Sequence, residues 1–572
     1  MTMQSSNWRA RSPLHWQVRS IAQQQVSALA GALGVSPLAA TVLCGRGVVE
    51  PEQAKAWLAS SGGLTHDPFL LPDVERAIDR LHLAIQRGER ICFYGDYDVD
   101  GMAATSLHFL FWRSMGAQAE VYIPHRQEEG YGLHEGAIRK LAGRGVSLLL
   151  TADCGTTSYK EIELARSLGM DVIVTDHHQL QSRMPEPLAF INPYRPDSAY
   201  PFRGLCSGGL AYKVAEAFVQ KYRPAGTSVE PYRDLVALSS IADLVPLTDE
   251  NRTLVRDGLA QVAQGTRCGI RALTRDLGLN GTCSAGTIGF RVAPRLNAAG
   301  RLAHAELGVR LLTTESEPVA LQLAQELENL NRHRREIEEE MTREAMAQAG
   351  DPRPAIVVSA KGWHIGVIGI VAARLVERYH RPAVVVTFDA QGIGKGSVRG
   401  VAGFDVCRAL QHCEPDLVAF GGHPMAAGLT VREEAFAGFR HRFEEAVEGL
   451  LDGAQLVPSV DVDAEVGLAA IQFPLVRELE RLEPFGTGNP EPTLMSRGIS
   501  VLEKRVVGEN HLKLVLRQPG SVPLDSIGFR MGSLADTIDE GSGQIDAVFT
   551  PELNEWKGSS RIQLRLRDVR VG

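Results

Sequence analysis

The stretch 90–105, RICFYGDYDVDGMAAT, carries Asp96, Asp98 and Asp100, each two residues from the next. In an extended chain, residues two apart project to the same side. Three like charges on one side repel unless a cation lies between them. Asp153 follows the apolar run LLLTA, His177 and His178 follow VIVTD, and Asp243 closes SSIAD. Asp96, Asp98, Asp100, Asp153, His177 and Asp243 thus form a candidate metal set, with Asp176 and His178 beside it. Carboxylate oxygens with one or two imidazoles suit Mn²⁺ or Mg²⁺, whereas zinc calls for more His or Cys. This many ligands exceed the need of one octahedral ion. Two ions about 3.5–4 Å apart would use them, an arrangement that serves phosphoester hydrolysis without a Ser, Cys or Lys nucleophile. Catalysis is expected from Asp98, Asp100, Asp153, His177, His178 and Asp243. The neighbours His177 and His178 diverge if extended. We therefore expect His177 on the metal, and His178 on the substrate side as phosphate contact or general acid.

These residues need elements to position them. Ile91–Tyr94, Val146–Thr151 and Val172–Thr175 read as buried strands, and each runs into an acidic or His cluster. In open α/β sheets, ligands bind outside the carboxyl ends of the strands. Helical patterns over 75–86, 102–115, 133–141 and 159–168 alternate with the strands, which predicts a parallel sheet. A helix over 235–242 would leave Asp243 at its C-terminal end, where the dipole disfavours a carboxylate without a cation. The expected organisation is α/β and multidomain. A helical segment over 1–75 precedes a parallel-sheet catalytic domain over 76–265. A long helical connector over 266–350, a second α/β domain over 351–455 and a β domain over 456–572 follow. The mixed charges of 332–340 read as a solvated helix face.

At 572 residues the chain has room for roughly three to five domains. Its net charge of −8 offers no bulk basic field for nucleic acid, so a polyanion site must be local or bridged by metal. The eight Cys are scattered without a CxxC pair, which suits a reducing cytoplasm. No apolar run reaches about 18 residues and the start lacks an apolar signal core, so neither a membrane span nor secretion is expected.

Asp98-Val99-Asp100-Gly101, Asp153-Cys154-Gly155, Asp176-His177-His178 and Ser240-Ile241-Ala242-Asp243 stand in the order of the DHH phosphoesterase superfamily, which the chain resembles. Gly421-Gly422-His423 looks like the hallmark of the DHH-associated domain. Many DHH phosphatases carry His where Tyr94 stands, and Asp96 is expected to compensate. Within the superfamily the chain resembles the single-strand-specific 5′→3′ DNA exonucleases of DNA repair and recombination, from about residue 75 to its end.

That resemblance implies substrate contacts. Arg126 and Tyr131 lie in the stretch PHRQEEGYG, expected to meet the 5′ phosphate, and Arg301 ends RLNAAGR. Ser397, Arg399, Gly422 and His423 correspond to phosphate- and nucleotide-binding elements. The β domain resembles an OB-fold barrel. Trp556, Lys557, Arg561 and Arg565 would line its single-strand groove, since such folds use basic grooves with stacking aromatics. The resemblance also implies single-stranded DNA as partner, a single-strand-binding protein and a helicase as associates, and a cytoplasmic monomer. One alternative is a small-substrate DHH phosphoesterase for short oligonucleotides or cyclic dinucleotides; another is a catalytically dead binding protein. The long connector and β domain argue against the first, the complete carboxylate and His set against the second.

Overall fold

The structure, a computed structural model, describes residues 14–59, 63–279, 281–350, 353–453, 456–540, 543–556 and 559–571. The chain divides into two compact units. The larger comprises Thr65–Pro246 and Leu254–Leu456; the smaller gathers the chain up to Leu64, Leu247–Thr253 and the part from Val457 on.

The larger unit opens with a five-stranded parallel sheet. Its order is Gln118–Tyr122, Arg90–Tyr94, Val146–Ala152, Asp171–Thr175 and Ala189–Ile191. Runs such as LLLTA and VIVT are buried along their length, as a sheet covered on both faces requires. After Arg90–Tyr94 the chain builds one neighbour, then crosses to the other side at Val146–Ala152. The carboxyl ends flanking that switch carry Asp96 to Asp100 and Asp153, so topology gathers what sequence separates.

The expected extended run of three Asp is corrected here. The helix Val99–Ser114 starts at Val99 because Asp98 caps it, its side chain accepting the Gly101 N–H at 3.1 Å. Asp100 therefore lies in the first helical turn. The carboxylates converge through a strand end, a cap and a helix start instead of through pleat alternation. Gly101 permits the tight passage: a Cβ there would stand 2.6 Å from the Asp96 nitrogen.

The helix Glu317–Ala349 spans 33 residues. Its C-terminal half shares a core with the second α/β domain, where Met341 and Ala345 pack with Ile356, Val358 and Leu375. The expected solvated face over 332–340 is only partly so. Glu338 is buried and accepts from Arg374 Nε at 2.8 Å and from Arg334, tying the long helix to Ile368–Tyr379. The second sheet runs Leu417–His423, Ala426–Arg432, Ile393–Arg399, Ala383–Phe388 and Ile356–Lys361, with only the last pair parallel.

The smaller unit contains a closed five-stranded barrel. Leu494–Val507, His511–Arg517, Leu524–Gly528, Ser559–Val571 and Gln544–Trp556 follow one another, and the last pairs back to the first. The N-terminal segment is not a separate helical piece. His15–Val18 is a strand paired in parallel with Ser459–Val462. Val26, Leu29 and Leu43 from the N-terminal helices share one core with Leu475, Leu479, Phe549 and Leu564. Short amphipathic helices cannot bury their faces alone, and this core completes them. Among the described residues no single helix is long and apolar enough to cross a membrane.

Candidate metal centre and phosphate site

Asp96 follows the Arg90–Tyr94 strand after Gly95, Asp98 caps the next helix and Asp100 lies in its first turn. Asp100 is fixed from across the domain. Ser207 N–H donates to Oδ2 at 2.9 Å and Gly208 N–H to Oδ1 at 3.0 Å, both from the N-terminus of Ser207–Tyr222. The Ser239 hydroxyl donates to the same Oδ1. A helix N-terminus is a natural seat for a carboxylate. Asp153 leaves its strand in the left-handed region, at φ 69°, a conformation that a non-glycine residue adopts at a cost. Ser207 Oγ donates to its Oδ1 at 3.0 Å.

His177 Nε2 lies 3.2 Å from Asp153, 3.4 Å from Asp100 and 3.5 Å from Asp243. His178 turns to different partners. Its Nδ1 is 2.7 Å from Asp176 Oδ1 and 3.2 Å from the Tyr131 hydroxyl, which donates to the Asp153 carbonyl at 3.0 Å. Asp176 also accepts from the Thr156 N–H at 2.9 Å, so it anchors the loop and leaves the centre to the others. Asp243 caps Arg233–Ala242 at its C-terminus.

The electrostatics ask for cations. Burial, then repulsion from Asp98, pushes Asp96 well above the usual carboxylate range. Burial and the charges of Asp100, Asp98 and Asp96 do the same to Asp153. Burial and Asp100 raise Asp98, and burial with Asp100 and Asp98 pushes Asp243 up to about 8. Burial lowers His177 against the attraction of Asp100. Burial would also lower His178, yet its hydrogen bond to Asp176 outweighs that and carries it up to about 9. Asp96 Oδ1 and His177 Nε2 are buried with no hydrogen-bond partner among the described residues. Buried donor atoms left unpaired in this way suit cation ligands. Ligand atoms of Asp96, Asp98 and Asp153, and separately of Asp100, His177 and Asp243, lie within 4.8 Å of one another. A third group, Asp153, His177 and His178, overlaps both, and the first two, which share no residue, suit two divalent ions.

Beside the carboxylates stands a set of arginines. Arg126 lies close enough to act on Asp96, and Arg301 close enough to feel Asp98. Arg301 donates to the Gly366 carbonyl at 3.0 Å; burial, then repulsion from Arg126, Arg334 and Arg399, lowers it to about 10. Burial and Arg126 lower Arg399, whose Nη1 donates to Ser397 Oγ at 3.0 Å. Cations crowded enough to lower Arg301 and Arg399 suit an anion between them, and guanidinium groups match phosphate. His423 pairs with Ala426, which pairs with Arg399, so His423 shares a sheet row with that cluster two strands away. Gly422 and His423 are exposed.

The barrel residues fare differently. Lys557 and the Trp556 side chain lie outside the described residues. Arg561 is exposed. Arg565 is engaged internally, 2.6 Å from Glu491 and 3.1 Å from Glu552, so its charge is already matched. Arg567 also pairs with Glu491.

Sequence reasoning missed Ser207, Gly208 and Ser239. The Cys206-Ser207-Gly208-Gly209 run before a helix was the available signal, since small residues with free N–H groups suit an anion.

Comparison with known proteins agrees with this geometry. Residues 90–240 match the DHH family, N-terminal domain, 353–449 the DHHA1 domain and 462–568 the RecJ OB domain. The single-stranded-DNA-specific exonuclease RecJ of Bacillus subtilis (strain 168) is 38% identical over 567 residues, 98% of this chain and 71% of that protein. RecJ of Escherichia coli (strain K12) is 35% identical over 523 residues, 87% of this chain and 90% of that protein. The crystal structure of RecJ in complex with Mn²⁺ from Thermus thermophilus aligns with TM-score 0.84 at 32% identity, over 97% of this chain and 79% of that one. Its Mg²⁺ complex gives 0.79 at 31% identity, over 97% and 78%. A catalytic sheet, a second α/β domain and a barrel in this order, each matched in its own right, place the chain in the RecJ family of single-stranded-DNA-specific exonucleases.

Proposed function

We propose that the chain hydrolyses single-stranded DNA from its 5′ end and releases 5′-mononucleotides, in DNA repair and recombination. The observation that carries this is the pairing of one carboxylate set and one carboxylate–imidazole set with the adjoining cations Arg126, Arg301 and Arg399. Divalent ions held by Asp96, Asp98, Asp153, Asp100, His177 and Asp243 would activate water and offset charge on the scissile phosphate. Arg126, Arg301, Ser397 and Arg399 take the 5′-terminal phosphate, with His423 at the rim. A seat for a free terminal phosphate gives polarity, because an internal phosphate carries chain on both sides. His178, protonated at neutral pH, donates to a phosphate oxygen, and Tyr131 and Asp176 hold its ring.

We infer a different strand path on the barrel from the one the terminal hairpin suggested. Arg505 and Lys513 are directly opposite one another, and neither forms an ion pair among the described residues. Like charges facing across a strand pair destabilise it, and a phosphate backbone relieves them. On the same face, at the end of the neighbouring strand, Phe529 is 52% exposed and held edge-on by His511 at 5.3 Å. An exposed ring beside free cations is a stacking platform for a base. A single-strand-binding protein and a helicase would supply such strands in the cytoplasm, to a monomer.

The test compares 5′-phosphorylated single strand with duplex of the same sequence, each with Mn²⁺, Mg²⁺ or chelator. Mononucleotides should appear from the 5′ end of the single strand, only with metal, and not with Asp153→Ala. Release from the 3′ end, or equal rates on duplex, would overturn the reading.

A further inference from the structure

Tyr97 stands between two carboxylates of the centre and has no role in the scheme above. The guanidinium of Arg126 lies over its ring, 4.6 Å from the centroid. The other cluster arginines are anchored by oxygens: Arg301 by the Gly366 carbonyl, Arg399 by Ser397 Oγ and the Val398 carbonyl. Arg126 makes no hydrogen bond or ion pair among the described residues. A free arginine side chain samples many rotamers, which dilutes any one geometry. Stacking on an aromatic face fixes the guanidinium plane and leaves its N–H edge open for bidentate contact.

Tyr97 is well placed to act as the fixed member of this pair. Asp96 and Asp98 flank it in the turn between the Arg90–Tyr94 strand and the Val99–Ser114 helix. From across the domain, Gly300 approaches its carbonyl so closely that a Cβ would collide with it. Gly300 belongs to RLNAAGR, whose last residue is Arg301. One contact thus sets the Tyr97 backbone and brings Arg301 to the same phosphate seat.

We propose that Tyr97 is a positioning residue: its ring holds the Arg126 guanidinium in the plane that receives the 5′-terminal phosphate, and so sets the preference for 5′-phosphorylated strands. This rests on the assignment of Arg126 to that phosphate. The readout is the ratio of kcat/KM for a 5′-phosphorylated strand to that for the same strand with a 5′-hydroxyl. Tyr97→Leu removes the π face while keeping an apolar side chain and should lower the ratio about 5- to 30-fold, through KM of the phosphorylated strand. Tyr97→Phe keeps the face and should hold the ratio within about twofold. Mn²⁺ affinity, read by titration of each variant, should stay at the native value.

Arg126→Ala is the control. If it leaves the ratio unchanged, the phosphate assignment itself fails. If it collapses the ratio while Tyr97→Leu preserves it, the Tyr97 proposal alone fails. Equal losses in Tyr97→Phe and Tyr97→Leu, or a loss of Mn²⁺ affinity in Tyr97→Leu that matches its loss of activity, would also overturn it.

Discussion

His178 and the buried Asp176, two residues apart, form a half-buried charge pair in which Nδ1 donates to Oδ1 over 2.7 Å. The adjacent His177 faces Asp100, Asp153 and Asp243 instead. On the proposed reading, one dipeptide would offer a neutral imidazole to metal and a protonated one to substrate.

This pair sets an alkaline limit. With Asp176→Asn the strongest of the influences that carry His178 up to about 9 is gone, and burial lowers it against the weaker pull of Asp243 and Asp100. The pH profile of kcat should lose activity at lower pH than the native enzyme, and kcat at pH 8 should fall about 100-fold. An unmoved alkaline limb would show that His178 does not act as a cation.

Stability without metal should fall as pH rises. Asp96, Asp98, Asp153 and Asp243 have folded pKa values above their unfolded ones, so the folded state binds more protons than the unfolded. Their penalty grows above the ordinary carboxylate range and, for Asp243, is complete only above about 8. His178 acts in the same direction: its stabilisation is full below its ordinary 6.5 and is lost through about 9. In chelator, the melting temperature should drop by at least about 5 °C between pH 6 and 8.5. Added Mg²⁺ should raise it more at pH 8.5 than at pH 6, because fewer protons must be displaced. A flat chelator profile would refute the cation-dependent centre.

Leu29 and the barrel should melt together. Leu29 is fully buried in the core that includes Leu512, Leu514 and Phe549. Leu29→Ala should cost about 2–5 kcal/mol. Hydrogen exchange along His511–Arg517 should quicken correspondingly. Protection that stays native there would mean that the N-terminal helices fold independently of the barrel. By the same logic, removing residues 457–572 should leave the N-terminal helices without a core.

Charge reversal on the barrel separates two faces. Arg505→Glu with Lys513→Glu should lower the slope of log affinity for a long single strand against log salt by about 1–2. Arg565→Ala, whose partners are Glu491 and Glu552, should change barrel stability and leave that slope alone. The reverse pattern would return the strand path to the terminal hairpin.

The sequence alone carried the parts that depend on local chemistry. Buried apolar runs leading into Asp or His clusters marked the strands Arg90–Tyr94, Val146–Ala152 and Asp171–Thr175, and the residue types marked a hard divalent metal. Tertiary structure decided what depends on distance through space. Pattern alone did not show that Asp98 would cap a helix and so carry Asp100 out of the extended run. Asp100 is held by Ser207, Gly208 and Ser239, more than a hundred residues away, and no spacing rule reaches that far. The N-terminal helices are amphipathic in sequence, but their partner lies some 450 residues later in the barrel core. Arg565 looked like a free cation until the fold set Glu491 beside it. Periodicity tells which face of an element is apolar or charged, whereas only the packed chain settles which opposing group satisfies it.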